Sequence, residues 1–136
     1  MGLRVHSELT GLKWPDLNFD DRSITIWDQK RKRSRVCPMF PEIYKELENE
    51  SDRTGFVVKQ CRMKAKLDNG LLRIARKADV KMWPRKWHNQ RASRISELES
   101  RGFPQTAICA WMGNSVTVAK QHYFHPMDLD FKRAIE

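Results

Sequence analysis

The chain has 136 residues, with 26 Lys and Arg against 17 Asp and Glu and a formal net charge of +9. That length holds one core of ordinary size and excludes two full domains, while five Trp and six Phe exclude wholesale disorder. No apolar run nears the roughly 20 residues of a membrane helix and no signal-like leader follows Met1, so a soluble, cytoplasmic protein is expected.

Val5, Leu9 and Leu12 are spaced like one helical face and predict a short opening helix over about residues 3–13. Trp14-Pro15-Asp16 ends it, because a proline disfavours helix at the residue before it. Ser23-Ile24-Thr25-Ile26-Trp27, rich in β-branched and aromatic residues, reads as a strand. Arg35-Val36-Cys37-Pro38 is its expected hairpin partner, with the basic run 30–33 at the turn. Pro41-Glu42-Ile43 starts a helix, with proline in the first turn and acids close behind. Gly55 to Val58 reads as a third short strand.

The second half reads as helical. Leu71, Leu72, Ile74, Ala75 and Ala78 form one apolar face that closes before Trp83-Pro84. A helix over about residues 89–100 stops at Gly102; Pro104 opens the next, and Gly113 stands in its C-terminal capping position. Ser115 is a natural N-cap for residues 116–124, Pro126 follows, and a last short helix is expected over 128–135. The expected architecture is α+β, mostly α-helical, with a small antiparallel sheet, in a single domain over 1–136.

Three cysteines (Cys37, Cys61, Cys109) are odd in number and far apart, and read as reduced thiols. The net charge makes a polyanion the expected partner, and nucleic acid is the commonest one. There is no phosphate-binding glycine loop, no nucleophile elbow and no set of acids with metal-ligand spacing, so neither a metal nor another cofactor is expected. What remains is a set of cations, a histidine and a tyrosine. Arg4 and Glu8 lie four apart and share a helical face, which taken alone is a surface ion pair. Lys30-Arg31-Lys32-Arg33-Ser34-Arg35 puts five cations in six residues at a hairpin tip. That is a solvated turn or a phosphate-binding one. His88 and Arg91 form H-x-x-R, a weak signal alone, and Tyr123 by itself is a half-buried aromatic.

Order and spacing carry more than any single motif. Gly2-Leu3-Arg4-x-x-x-Glu8 is followed by the hairpin lysine Lys30, then His88-x-x-Arg91, then Gly113-Asn114, then Tyr123 nine residues on. The series resembles the catalytic domain of the tyrosine recombinases, the phage-type integrases. L-T-G-L-K-W-P-D over 9–16 is similar to the family's continuation of its first motif, and K-R-K-R-S-R-V-C-P over 30–38 to its hairpin. The resemblance covers residues 2–125. It implies the DNA breaking-rejoining fold and site-specific recombination through a covalent 3′-phosphotyrosyl intermediate. It also assigns roles: Tyr123 as nucleophile, Arg4 and Arg91 on the non-bridging phosphate oxygens, and Lys30, which the K-x-x-x-x-R-x-x-P frame favours over the alternative Lys32 and the flanking arginines, as general acid for the leaving 5′ oxygen. His88 hydrogen-bonds the phosphate or helps take the tyrosine proton, and Glu8 orients its neighbours. Arg31, Lys32, Arg33 and Arg35 are the expected DNA-binding cations. Double-stranded DNA is the implied partner, together with other protomers, as a tetramer on DNA and a monomer or weak oligomer without it.

Two departures from the family pattern stand out. Asn114 occupies the usual His or Trp position, where it can donate a neutral hydrogen bond but carries no charge. The first arginine is residue 4, so the family's leading helix and its separate DNA-clamping domain have no counterpart ahead of it. The alternative expectation is therefore a non-catalytic DNA-binding remnant of an integrase. The tail, 127–136, with Leu129, Phe131 and Ile135, packs in cis or on a neighbouring protomer.

Overall fold

The computed structural model describes residues 2–59, 64–117 and 119. Three antiparallel strands form one sheet in the order β1-β2-β3: β1 (Leu17–Asn18), β2 (Ser23–Asp28) and β3 (Arg33–Pro38). Alternation along β2 decides its faces: Ile24, Ile26 and Asp28 are buried and Thr25 and Trp27 are exposed. The register sets Ile24 against Cys37, Ile26 against Arg35 and Asp28 against Arg33. The inner face therefore carries apolar side chains at one end and charged ones at the end nearest the turn.

Among the described residues the sheet is followed by the helices α1 (Pro41–Glu48), α2 (Lys64–Lys77), α3 (Lys86–Ser100) and α4 (Gln105–Met112). α4 packs on β3 and on α3. Ile24, Ile26, Cys37, Ile95, Leu98, Ile108 and Met112 are fully buried between these elements. Each aliphatic chain taken out of water there contributes about 1.5–3 kcal/mol. Asp68 ties α2 to the start of α3, accepting from the Trp87 indole N–H at 2.5 Å and facing Lys86 Nζ at 3.6 Å.

The strand pair, α1, and the α4 start and glycine stop lie where proline, glycine and alternation put them. Four expectations are corrected. The opening segment is not a helix over 3–13. The Arg4 carbonyl accepts the amides of Ser7, Glu8 and Leu9 at 3.4, 2.8 and 3.1 Å, winding Val5–Leu9 into one π-type turn. A 3₁₀ turn at Trp14–Asp16 follows. This broken path buries Leu3, Glu8, Leu12 and Trp14 together, which one straight helix does not do. Gly55 to Val58 is not a sheet strand: Phe56 pairs with Lys13 in an isolated bridge outside the sheet, and the third strand is β1. α2 has a narrower apolar face than expected. Ala75 is buried and Leu71 and Leu72 are half-buried, but Ile74 is 63% exposed and Ala78 is also exposed. α3 starts at Lys86, three residues earlier than predicted, after Arg85 at φ +49.

A first helical turn follows Ser115, whose carbonyl accepts the Ala119 amide at 2.9 Å. The rest of that expected helix lies outside the described residues, as do Tyr123, the 127–136 tail and Cys61. None of the helices among the described residues is long and apolar enough to cross a membrane.

Candidate active site

The site is built around the C-terminal end of α4. The last carbonyls of a helix have no intrahelical partner, and the helix dipole adds partial negative charge there. Gly113 ends α4 in the left-handed region, at φ +69. Four arginines take those carbonyls. Arg35 Nε donates to the Trp111 carbonyl at 2.8 Å, and Arg91 Nη2 donates to the Met112 carbonyl. Arg4 Nη2 reaches the Gly113 carbonyl at 3.3 Å, and Arg31 Nη1 donates to the same oxygen.

The π-type turn, α3 and the sheet's turn end deliver these side chains. Arg91, buried on α3, also donates to the Gly2 carbonyl and, at 3.1 Å, to Asn114 Oδ1. The Asn114 Nδ2 is buried with no hydrogen-bond partner among the described residues. Arg4 is partly exposed and holds Glu8 Oε1 at 2.6 Å and Asp28 Oδ2 at 3.3 Å. Arg4, Arg91 and Asn114, far apart in sequence, therefore meet at one helix end.

Glu8 lies beneath them, its side chain 1% exposed. Arg35 grips it with two parallel bonds of 2.8 Å, and the Arg4 amide donates to it at 2.8 Å. Burial pushes the Glu8 carboxyl up, but the Arg35 hydrogen bonds, the Arg4 amide and both positive charges outweigh that, so it sits below its ordinary 4.5. Arg35 thus differs from the other cations of the hairpin: it points inward, while Arg31, Lys32 and Arg33 are exposed. Its signal in the sequence was position, since a residue opposite Ile26 faces the core.

Asp28 was missed altogether. It closes β2 on the buried face, and Oδ1 accepts the amides of Lys30 and Arg31 at 3.0 and 3.1 Å. An aspartate two residues before a turn position is the available signal, because such side chains cap their own turns. Burial raises its pKa, but the Arg31 and Lys30 amides and the charges of Arg4 and Arg31 bring it below 3.8. Lys30 is exposed at the tip, and Lys32 there has φ +52. Between hairpin and α4 lies a cleft of about 270 Å³, lined in part by Asp28, Arg33, Gly113 and Asn114.

His88 is exposed on the first turn of α3. It lines an open depression with His6, Asp68, Trp83 and Trp87. Among the described residues, no three His, Cys, Asp or Glu side chains cluster so as to hold a metal ion.

The phage integrase family model matches residues 1–129. No curated protein matches the chain in sequence. In fold it is similar to the crystal structure of XerA recombinase, at TM-score 0.74 and 21% identity, over 98% of this chain and 52% of that one. It is also similar to the Tn1549 transposon integrase in complex with a circular intermediate DNA, at 0.72 and 20%, over 98% and 54%. A third is XerH site-specific recombinase bound to difH substrate in a pre-cleavage complex, at 0.66 and 18%, over 98% and 42%. The chain thus spans about half the length of these structures or less.

Proposed function

The chain belongs to the phage integrase family, and from that premise we propose that it carries the catalytic machinery of a site-specific DNA recombinase. The observation that carries the reading is the meeting of Arg4, Arg91 and Asn114 at the end of α4. Two guanidiniums that already share an array of oxygens are suited to the non-bridging oxygens of a phosphodiester. The Tn1549 integrase in complex with a circular intermediate DNA and XerH bound to its difH substrate support the same substrate class.

In this reading the Tyr123 phenolic oxygen attacks a backbone phosphorus and the P–O5′ bond breaks. The tyrosine proton leaves through His88 or water, and Lys30 supplies a proton to the departing 5′ oxygen. The products are a 3′-phosphotyrosyl link and a free 5′ hydroxyl. A second strand's 5′ hydroxyl reverses the step and restores the phenol. Because a phenol titrates near 10, attack at neutral pH needs a strongly cationic surrounding or a nearby base. Charge developing on the phosphorane oxygens falls to Arg4 and Arg91, and the buried Asn114 Nδ2 offers one neutral donor. Partner protomers on DNA complete the reaction, since exchange needs two duplexes.

The neutral Asn114 also favours a second reading, a DNA-binding relative that no longer cleaves. Trapping separates the two. Nicked suicide duplexes of mixed sequence are incubated with the protein and with Tyr123→Phe. A denaturant-resistant protein–DNA adduct that disappears in the phenylalanine variant is expected. Salt-sensitive binding with no adduct on any duplex favours the non-cleaving relative.

A further inference from the structure

Lys30 stands on an exposed turn, and its long side chain gives it little positional precision of its own. What fixes it is its backbone. Asp28 Oδ1 accepts both the Lys30 and the Arg31 amides, and Oδ2 of the same carboxylate lies 3.3 Å from Arg4 Nη1. Capping a turn needs only one oxygen and is usually done at the surface. Here the aspartate is 5% exposed, and its second oxygen is spent on an arginine 24 positions earlier. One buried side chain therefore sets the distance between the hairpin tip and the first arginine of the site.

We propose that Asp28 is a positioning residue for strand cleavage, holding the Lys30 backbone in register with Arg4 so that the lysine meets the leaving 5′ oxygen. The proposal rests on the cleavage reading above. The proton moves from the Lys30 ammonium to O5′ as the P–O5′ bond breaks, and Asp28 neither gives nor takes one. A displacement of about 1 Å at such a donor costs on the order of 100-fold in rate.

The test uses two pools of nicked duplex, randomised on both sides of one fixed phosphate. That phosphate carries either oxygen or sulfur at its 5′ bridging position, and a thiolate departs without being protonated. The wild type traps adduct on both pools. Asp28→Ala is expected to slow trapping about 100-fold on oxygen DNA and less than about 3-fold on sulfur DNA. Asp28→Asn keeps an acceptor for both amides and recovers most of the oxygen rate. Amide hydrogen exchange gives a reading independent of cleavage: the Lys30 and Arg31 amides exchange faster in Asp28→Ala and stay slow in Asp28→Asn.

Equal slowing on both pools, or amides no faster in the alanine variant, overturns the proposal. So does an asparagine variant that loses the oxygen rate selectively while its amides stay protected. A wild type that traps neither pool sinks the cleavage reading itself, which is a different result from a wild type that traps both while Asp28→Ala matches it.

Discussion

Glu8 and Arg35 face each other through two parallel hydrogen bonds of 2.8 Å, one partner on the opening turn and the other on β3. Neither is free to serve a ligand without releasing the other. The same Glu8 oxygens also hold Arg4 by its side chain and by its amide. The carboxylate thus links the π-type turn to the sheet beneath the site.

Removing one partner of such a buried pair leaves the other charge uncompensated. Glu8→Ala is expected to destabilise the fold by about 3–5 kcal/mol, and Arg35→Ala by a similar amount. Glu8→Gln, which keeps an acceptor, costs less. Urea unfolding followed by tryptophan fluorescence checks the order.

The same pair gives the fold an acid limit. Because the Glu8 carboxyl is lowered in the folded state, its stabilisation is complete above the unfolded value near 4.5. It is lost as pH falls through the lower folded value. Unfolding free energy between pH 7 and pH 3 should therefore fall more steeply in the wild type than in Glu8→Gln. Parallel curves for the two proteins would show that Glu8 is not lowered.

Gly113→Ala combines a strained backbone with a crowded one. At φ +69 an L residue pays about 1 kcal/mol or more, and the new Cβ would lie 3.1 Å from the Arg35 guanidinium. A loss of roughly 1–3 kcal/mol is expected, with the Arg35 contact to the Trp111 carbonyl disturbed. Thermal melts compared with Ala110→Gly, an exposed position on α4, separate the local effect from helix propensity.

The hairpin cations should divide by direction. If the proposed function holds, exposed Arg33 is one of the phosphate contacts, and Arg33→Ala is expected to lower the slope of log K against log salt by about 0.9 on duplex DNA. Arg35→Ala, measured at low temperature where it stays folded, leaves that slope near its wild-type value. Fluorescence anisotropy across a salt series reads both.

Much of this fold was legible because local signals agreed with tertiary ones. Ile24 and Ile26 alternate with Thr25 and Trp27, Pro41 and Pro104 mark helix starts, and Gly113 marks a stop, and each is also what packing requires. The opening segment was misread because its decisive residue is polar: Glu8 is buried by two arginines, which an apolar periodicity does not register. Phe56 failed as a strand residue because β propensity says nothing about which partner edge is available. Within the site, the order of motifs named Arg4, Arg91 and Asn114, which the fold brings together. The burial of Asp28 and the inward turn of Arg35 escaped, because both depend on strand register across the hairpin rather than on residue type.

The acceptors that gather the arginines at the end of α4 are carbonyls of Trp111, Met112 and Gly113, that is, main chain. A mutation cannot delete a main-chain oxygen. Exposed side chains along α4, such as Thr106 and Ala110, can drift freely so long as the helix still ends at a residue that tolerates φ +69. The anchor therefore depends on backbone shape rather than on side-chain identity, so substitutions on the exposed face of this helix leave the acceptors of the cationic cluster in place.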